Sequence, residues 1–348
     1  MTIGIGVVGC GNVSAKYLAT IAGAPGVELV ACTDRDGERA RSVGTQFGIP
    51  LVLASLEELL ALPAVDMVLN LTAPMAHAEV SLAAIASGKH VYSEKPLATT
   101  LTDGVRIIEA AGRAGVRVGC APDTFLGDGI QAMAKLITDG AIGQPLSAIS
   151  ILVTTGPEHF HPSPEFLYHE GAGPLFDIGP YLVTALTFLL GPVRAVTAMA
   201  ATPVETRTVR VGSRAGETFP SAVPTFISCV LEFASGAVAT LLQSWDVVGT
   251  TAPRLELHGT AGSIVGPSPD SWCGPLRLMR AGDEEFVEVM PEIQIGSRLG
   301  VGVLEMVSAL EAGSGPAASG ERGLHTLRVL QGILSSAASR QRVRLDDE

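Results

Sequence analysis

Positive charge is scarce in this sequence. Lys and Arg number 23 against 35 Asp and Glu, a formal net charge of −12. A nucleic-acid binder needs a positive face to displace counterions, and an anionic membrane surface asks for the same. Neither is an expected partner, and the basic run RQRVR at 340–344 reads as a solvated helix end. Cysteine is sparse too. Cys10, Cys32, Cys120, Cys229 and Cys273 form no C-x-x-C pair and no zinc spacing. Their odd number, with three in apolar strand-like runs, argues for buried free thiols in a reducing compartment. No apolar run reaches the roughly 18 residues of a membrane span, and no basic-then-apolar leader opens the sequence. A cytoplasmic protein is the expectation.

Aromatic residues make up only 5%, whereas Gly (40) and Pro (22) are plentiful. With 47% hydrophobic and 17% charged residues, this is a globular composition built from many short elements and tight turns. A length of 348 residues suggests two domains.

Up to about residue 120, apolar strand-like runs (3–8, 27–33, 65–71, 90–93, 117–120) alternate with helical patterns (12–22, 36–47, 55–60, 76–87, 102–114). That alternation means βαβ units and a parallel sheet covered on both faces. Asp36 is placed as an N-cap, and Ser55 with Glu58 as a capping box. Beyond residue 121 the pattern changes. A helix at 129–139 and a strand at 146–155 precede a His- and Pro-rich loop at 156–173. A helix at 180–190, stopped by Gly191-Pro192, is followed by strands at 195–202, 225–233, 237–245 and 254–259 and shorter ones. "FASGAV" joins two of them as a hairpin, and 324–336 reads as a last helix. The expected fold is α/β: an N-terminal parallel βαβ domain (1–121), then an α+β domain (122–348) with a large open, mainly antiparallel sheet.

The opening "GIGVVGCGNVS" matches G-x-G-x-x-G at Gly4-Gly6-Gly9 and, imperfectly, at Gly9-Gly11-Ser14. The motif needs a strand before it and a helix after it, which selects the second register. Gly9 would make the tight turn, and Gly11, Asn12 and Val13 would bring backbone to the pyrophosphate at the helix start. Ser14 is small enough to replace the third glycine. Asp34, at the end of the next strand, would meet the ribose hydroxyls and favours NAD. Arg35 beside it could instead clamp the 2′-phosphate of NADP.

"HVYSEKPLATT" at 90–100 delivers Glu94-Lys95-Pro96 to the carboxyl edge of the sheet, where ligands bind in open α/β folds. Thr72 to His77 spells T-x-x-x-x-H, and D-x-G-x-Y follows at Asp177 to Tyr181. In this order, and over nearly the whole chain, the set resembles the glucose–fructose oxidoreductase / inositol dehydrogenase / rhizopine-catabolism (Gfo/Idh/MocA) family of NAD(P)-dependent oxidoreductases. The resemblance implies a catalytic Lys95, an aspartate at Asp177 and an acid/base at Tyr181. It also implies that 1–121 is a Rossmann NAD(P)-binding domain, with nicotinamide-side contacts from Thr72, Pro74, His77, Glu94 and Lys95, and an open sheet in 122–348 that often builds oligomer interfaces. Tyrosine stands where the inositol dehydrogenases have histidine, which leans toward the sugar oxidoreductases. Ala73-Pro74 replaces the Pro-Asn of many members.

Oxidising a secondary alcohol takes a base and a stabiliser of the developing alkoxide. Lys95 suits the second task. Tyr181, in the first turn of a helix that starts with Pro180, suits the first. Asp177 would orient Lys95 or a substrate hydroxyl. In the 156–173 loop, His161 and Glu165 are candidates for polyol hydroxyls, against a merely solvated loop. His159-x-His161 lacks a dependable third ligand, so no metal is expected. Asp123 follows a strand end and is expected to face the cleft, while His90 and His258 read as satisfied strand residues. The expectation is an enzyme acting on a sugar, sugar derivative or cyclitol, working as a homo-dimer or homo-tetramer. The alternatives are an NAD-assisted glycoside hydrolase and a non-catalytic NAD(P)- or sugar-sensing protein.

Overall fold

The computed structural model describes residues 2–291 and 298–345. The chain divides into two compact units, Met1–Leu126 with Arg298–Leu327, and Gly127–Ser297 with Arg328–Glu348.

The first unit is built on β1 (Ile3–Val8), α1 (Ser14–Ile21), β2 (Val27–Thr33), α2 (Gly37–Phe47), β3 (Leu51–Leu53), α3 (Leu56–Leu60), β4 (Met67–Asn70), α4 (His77–Ala86), β5 (His90–Ser93), α5 (Leu101–Ala114) and β6 (Val118–Cys120). Its strands are all parallel, in the order β3-β2-β1-β4-β5-β6. This is the doubly wound arrangement, in which the order reverses beside β1. β1 and β4 are buried along their whole length, as expected of a sheet covered on both faces. The helices start where the sequence provides caps. Asp36 accepts from Glu38 N and Arg39 N, Ser55 from Glu58 N, and Thr100 from Asp103 N. Gly4 and Gly6 lie inside β1, where α3 and the turn after it press close. A Cβ on Gly6 would come 2.6 Å from Leu59 Cδ2, and one on Gly4 would run into the Ala64 carbonyl.

The second unit holds α6 (Asp128–Thr138), β7 (Pro145–Val153), α7 (Gly173–Asp177), α8 (Gly179–Leu190), β8 (Val193–Ala201), β9 (Thr206–Thr208), β10 (Thr218–Pro220), β11 (Phe226–Phe233), β12 (Val238–Ser244), β13 (Leu255–Gly259), β14 (Gly262–Gly266), β15 (Leu276–Arg280) and β16 (Val287–Val289). The chain then forms α9 (Val301–Glu311) and α10 (Gly320–Ser339) and ends its described part with β17 (Val343–Arg344). The nine-stranded sheet runs β16-β15-β14-β13-β7-β12-β11-β8-β17. Only β12 and β7 pair in parallel; every other neighbouring pair is antiparallel. β11 and β12 alternate buried and exposed residues, as a sheet with one covered face does. "FASGAV" closes their hairpin through Phe233 N to Ala237 O (2.9 Å) and Gly236 N to Phe233 O (3.0 Å).

Three features differ from the sequence reading. The segment 298–327, with α9, belongs to the first unit, a return that the reading did not contain. β9 and β10 form a separate two-stranded ribbon. The basic run at 340–344 is not a solvated helix end: α10 stops at Ser339, β17 pairs with β8, and Arg342 forks onto Glu232 (2.5 and 2.8 Å).

Candidate functional site

In the first unit the glycine turn leaves β1 at Val8 and enters α1 at Ser14. Gly9 has φ +96°, and a Cβ there would come 2.6 Å from the Leu71 carbonyl group. Only glycine meets both demands. A Cβ on Gly11 would meet nothing within 4 Å, so the backbone is open on that side. No side chain caps the start of α1, and the Ser14 hydroxyl turns back to donate to Gly11 O (2.7 Å). Asn12 is exposed and Val13 half-buried at that start. An open turn of small residues ahead of an uncapped helix fits a dinucleotide pyrophosphate. Asp34 braces the turn: Oδ2 accepts from Cys10 N (2.7 Å) and Oδ1 from Asp36 N (2.8 Å). Arg35 is exposed beside it. The Cys10 thiol is buried, and its hydrogen bond with the Cys32 thiol, together with burial, pushes it far above the usual thiol range. It is not poised as a nucleophile.

A second group gathers at the carboxyl ends of β4 and β5. The Thr72 hydroxyl donates to Asn70 Oδ1 (2.7 Å), and Asn70 Nδ2 donates to His77 O and Ser81 Oγ (3.1 Å each). Pro74 opens a short 3-10 turn, Pro74–Ala76. The His77 ring is wholly buried, with Nδ1 2.6 Å from Pro96 O and Nε2 3.0 Å from Thr72 O. Burial pulls its pKa down. His77 therefore ties the Thr72 turn to the Glu94-Lys95-Pro96 turn, and its ring atoms reach those two carbonyls instead of solvent. Glu94 and Lys95 are half-buried. Glu94 Oε2 accepts from Lys95 N (2.9 Å), and Oε1 accepts from the Tyr17 hydroxyl (2.8 Å). Tyr17, on the buried face of α1, links the helix after the glycine turn to Glu94. The sequence reading missed it; the signal was a tyrosine one turn after Ser14 on an otherwise apolar stripe.

Asp123, expected at the cleft, is completely buried. Its Oδ2 accepts from Gly300 N (3.0 Å) and Gly302 N (2.9 Å). It fastens the start of α9 to the end of β6 within the first unit. Burial pushes its pKa up to about 6, against those two hydrogen bonds. His90 and His258 are satisfied locally, by Arg117 N (2.9 Å) and Ser263 Oγ (3.0 Å).

In the second unit Asp177 is the last residue of α7 and Tyr181 lies in the first turn of α8. Ile178 alone separates the two helices, and Tyr181 N donates back to Ile178 O (3.2 Å). Pro180 occupies the helix start, where its missing N–H costs nothing. Both Asp177 and Tyr181 are half-buried. The 156–173 loop is anchored by a buried ionic network. Arg207, on β9, reaches Glu158 Oε1 and Trp245 O (3.2 Å each) and pairs with Asp246. Asp246 also accepts from the Thr225 hydroxyl (2.7 Å), and Glu158 from Tyr168. Tyr168 packs on Phe219 and Trp245 (ring centroids 5.2 and 5.1 Å apart). His161 Nδ1 accepts from Ser163 N (3.0 Å), and its ring stacks edge-on with Phe166. Glu165 pairs with Arg214 (2.5 Å), which holds its carboxyl below the usual range. Among the described residues no three His, Cys, Asp or Glu side chains gather as a metal site, and no helix is long and apolar enough to cross a membrane.

The doubly wound sheet, the glycine turn at its first strand and the acidic residue after its second define a dinucleotide-binding class of fold. Residues 3–121 match the family model described as the oxidoreductase family with an NAD-binding Rossmann fold, and residues 130–265 match the GFO/IDH/MocA C-terminal domain. The chain belongs to the GFO/IDH/MocA family of oxidoreductases. It is 28% identical to a 1,5-anhydro-D-fructose reductase of Ensifer adhaerens, covering 98% of each chain. It is also 28% identical to a D-apiose dehydrogenase of Paraburkholderia graminis, over 97% of this chain and 88% of that one. An NAD-binding oxidoreductase of known structure from Klebsiella pneumoniae superposes with a TM-score of 0.85 at 25% identity, covering 100% of both chains.

Proposed function

We propose that this chain interconverts a secondary alcohol and a ketone, or a lactol and a lactone, on a sugar, sugar derivative or cyclitol. NAD is the preferred hydride partner and NADP the alternative. The observation that carries the reading is Glu94-Lys95-Pro96 at the carboxyl end of β5, in a family whose N-terminal domain is an NAD-binding Rossmann fold. The names of the two relatives, a sugar-type reductase and a sugar dehydrogenase, support the substrate class.

When bound, the nicotinamide supplies the hydride chemistry; the rest falls to this chain. Gly9, Gly11, Asn12 and Val13 would hold the pyrophosphate, and Asp34 the ribose. Asp34 favours NAD because a 2′-phosphate would face its negative charge. Thr72, Pro74 and Glu94 would border the nicotinamide side, with His77 fixing the turns that carry them. The Lys95 ammonium stabilises the alkoxide that develops on the reacting oxygen, or polarises the carbonyl in reduction. Tyr181, in the first turn of α8, takes or returns the proton. Asp177 orients a substrate hydroxyl. His161 and Glu165, the latter together with Arg214, are the loop's candidates for further hydroxyls. Asp123 acts through the backbone it holds. We assign the first unit to cofactor binding and the second to substrate binding and self-association into a dimer or tetramer.

The test is a dehydrogenase screen over sugars, cyclitols and glycosides with NAD and NADP in parallel, repeated with Lys95→Met and Tyr181→Phe. We expect sugar-dependent NADH formation, with kcat reduced at least ~100-fold in either variant, the usual size of a lost acid/base or electrostatic contribution. Most of kcat surviving in Tyr181→Phe would remove Tyr181 from the acid/base role. Release of an aglycone without net NADH would support the glycoside hydrolase instead.

A further inference from the structure

Gln243 lies near the end of β12, on the face of the strand that also buries Ala239 and Leu241. Its side chain is completely buried, and neither Oε1 nor Nε2 has a hydrogen-bond partner. A carboxamide carries two N–H donors and an acceptor oxygen. Burying both ends unmet is a standing cost to the fold, which an apolar side chain of similar size would avoid. Packing therefore gives no reason for glutamine here.

The position of the amide gives one. A Cβ on Gly179 would stand 3.2 Å from Gln243 Oε1 and 3.3 Å from Nε2, and 2.9 Å from Leu330 Cδ2. The amide thus lies directly under the first residue of α8. In sequence Gly179 sits midway between Asp177 and Tyr181. The strand ends at Ser244, and two residues further on Asp246 is tied to Arg207. One strand end therefore supports both the start of α8 and the anchor of the 156–173 loop.

We propose that Gln243 binds one hydroxyl group beneath the start of α8, donating to it from Nε2 and accepting from it at Oε1, and is thereby a positioning residue for Asp177 and Tyr181. The hydroxyl belongs either to a retained water or to the substrate; the chemistry is the same. The proposal rests on the assignment of Asp177 and Tyr181 to substrate chemistry.

The experiment compares wild type, Gln243→Met and Gln243→Glu on the sugar that gives the highest wild-type activity in the screen, with Tyr181→Phe alongside. Gln243→Met keeps the length and removes the polar ends. It is expected to unfold at the same or a higher temperature than wild type while losing roughly tenfold or more in kcat, with the Tyr181-dependent limb of the kcat–pH profile displaced. A merely structural glutamine would move stability and leave the pH profile in place. A substrate analogue lacking one hydroxyl identifies the source. If wild type is penalised by that loss and Gln243→Met is not, the hydroxyl is the substrate's. If every deoxy analogue is penalised equally in both, it is a water. Wild-type kcat, KM and pH profile in Gln243→Met would overturn the proposal, and should that variant not fold, the same result in Gln243→Glu would do so. No activity of the wild type on any sugar would instead bring down the reading beneath it.

Discussion

Replacing Arg207 with methionine should destabilise the second unit severely. Arg207, Glu158 and Asp246 have side chains only 4%, 5% and 7% exposed. Methionine fills much of the space of the arginine stem but leaves two buried carboxylates without their cation. Removing one partner of a buried ion pair typically costs about 3–5 kcal/mol. The Thr225 and Tyr168 hydroxyls still donate to the carboxylates and keep the loss within that range. For a unit of this size, with about 2–4 °C per kcal/mol, the thermal midpoint should fall by roughly 6–20 °C. Thermal unfolding of wild type and Arg207→Met side by side measures the deficit. A deficit below about 1 kcal/mol, the size of an exposed pair, would refute the buried-network account.

Two further predictions concern the first unit. Gly9→Ala forces a side chain onto a φ of +96° and against the Leu71 carbonyl. It should cost at least ~2 kcal/mol of stability and weaken NADH binding about tenfold or more, read by fluorescence titration. Asp123, whose folded pKa stands at about 6 against an ordinary 3.8, binds its proton more tightly folded than unfolded. Its contribution is complete below its unfolded pKa and is lost as pH rises through about 6. Asp123→Asn keeps an acceptor for Gly300 and Gly302 and should flatten the fall in thermal midpoint across that window; an unchanged slope would show that another group causes it.

The first half of the fold was legible because its signals are local. Caps at Asp36 and Ser55, glycine stops and buried apolar strands all act within a few residues, and the structure follows them. The choice of glycine register was legible for the same reason, since Gly4 and Gly6 had to be strand residues if Ile3–Val8 was the strand. α9 carried a helical pattern in Val303, Met306 and Val307, all buried. What no local pattern encodes is that its segment joins the first unit, because that depends on Asp123 holding Gly300 and Gly302 across some 180 residues of chain. The same limit hid the Arg207 network, whose members come from a loop, a ribbon and a strand end. It also hid Tyr17, whose hydroxyl meets Glu94 only once the sheet has formed. Motif residues could be named singly. Which of them hold backbone and which remain open to a ligand required the packing, as His77 and Asp123 show.

Hydride transfer between a sugar carbon and nicotinamide can be followed with an active sugar deuterated at the carbon that is oxidised, the label being traced into the reduced cofactor by mass spectrometry. One deuterium per cofactor reduced is expected, transferred by the wild type and slowed in parallel by Lys95→Met and Tyr181→Phe. Reduced cofactor without the label, or label lost to solvent while the cofactor stays oxidised, would contradict it.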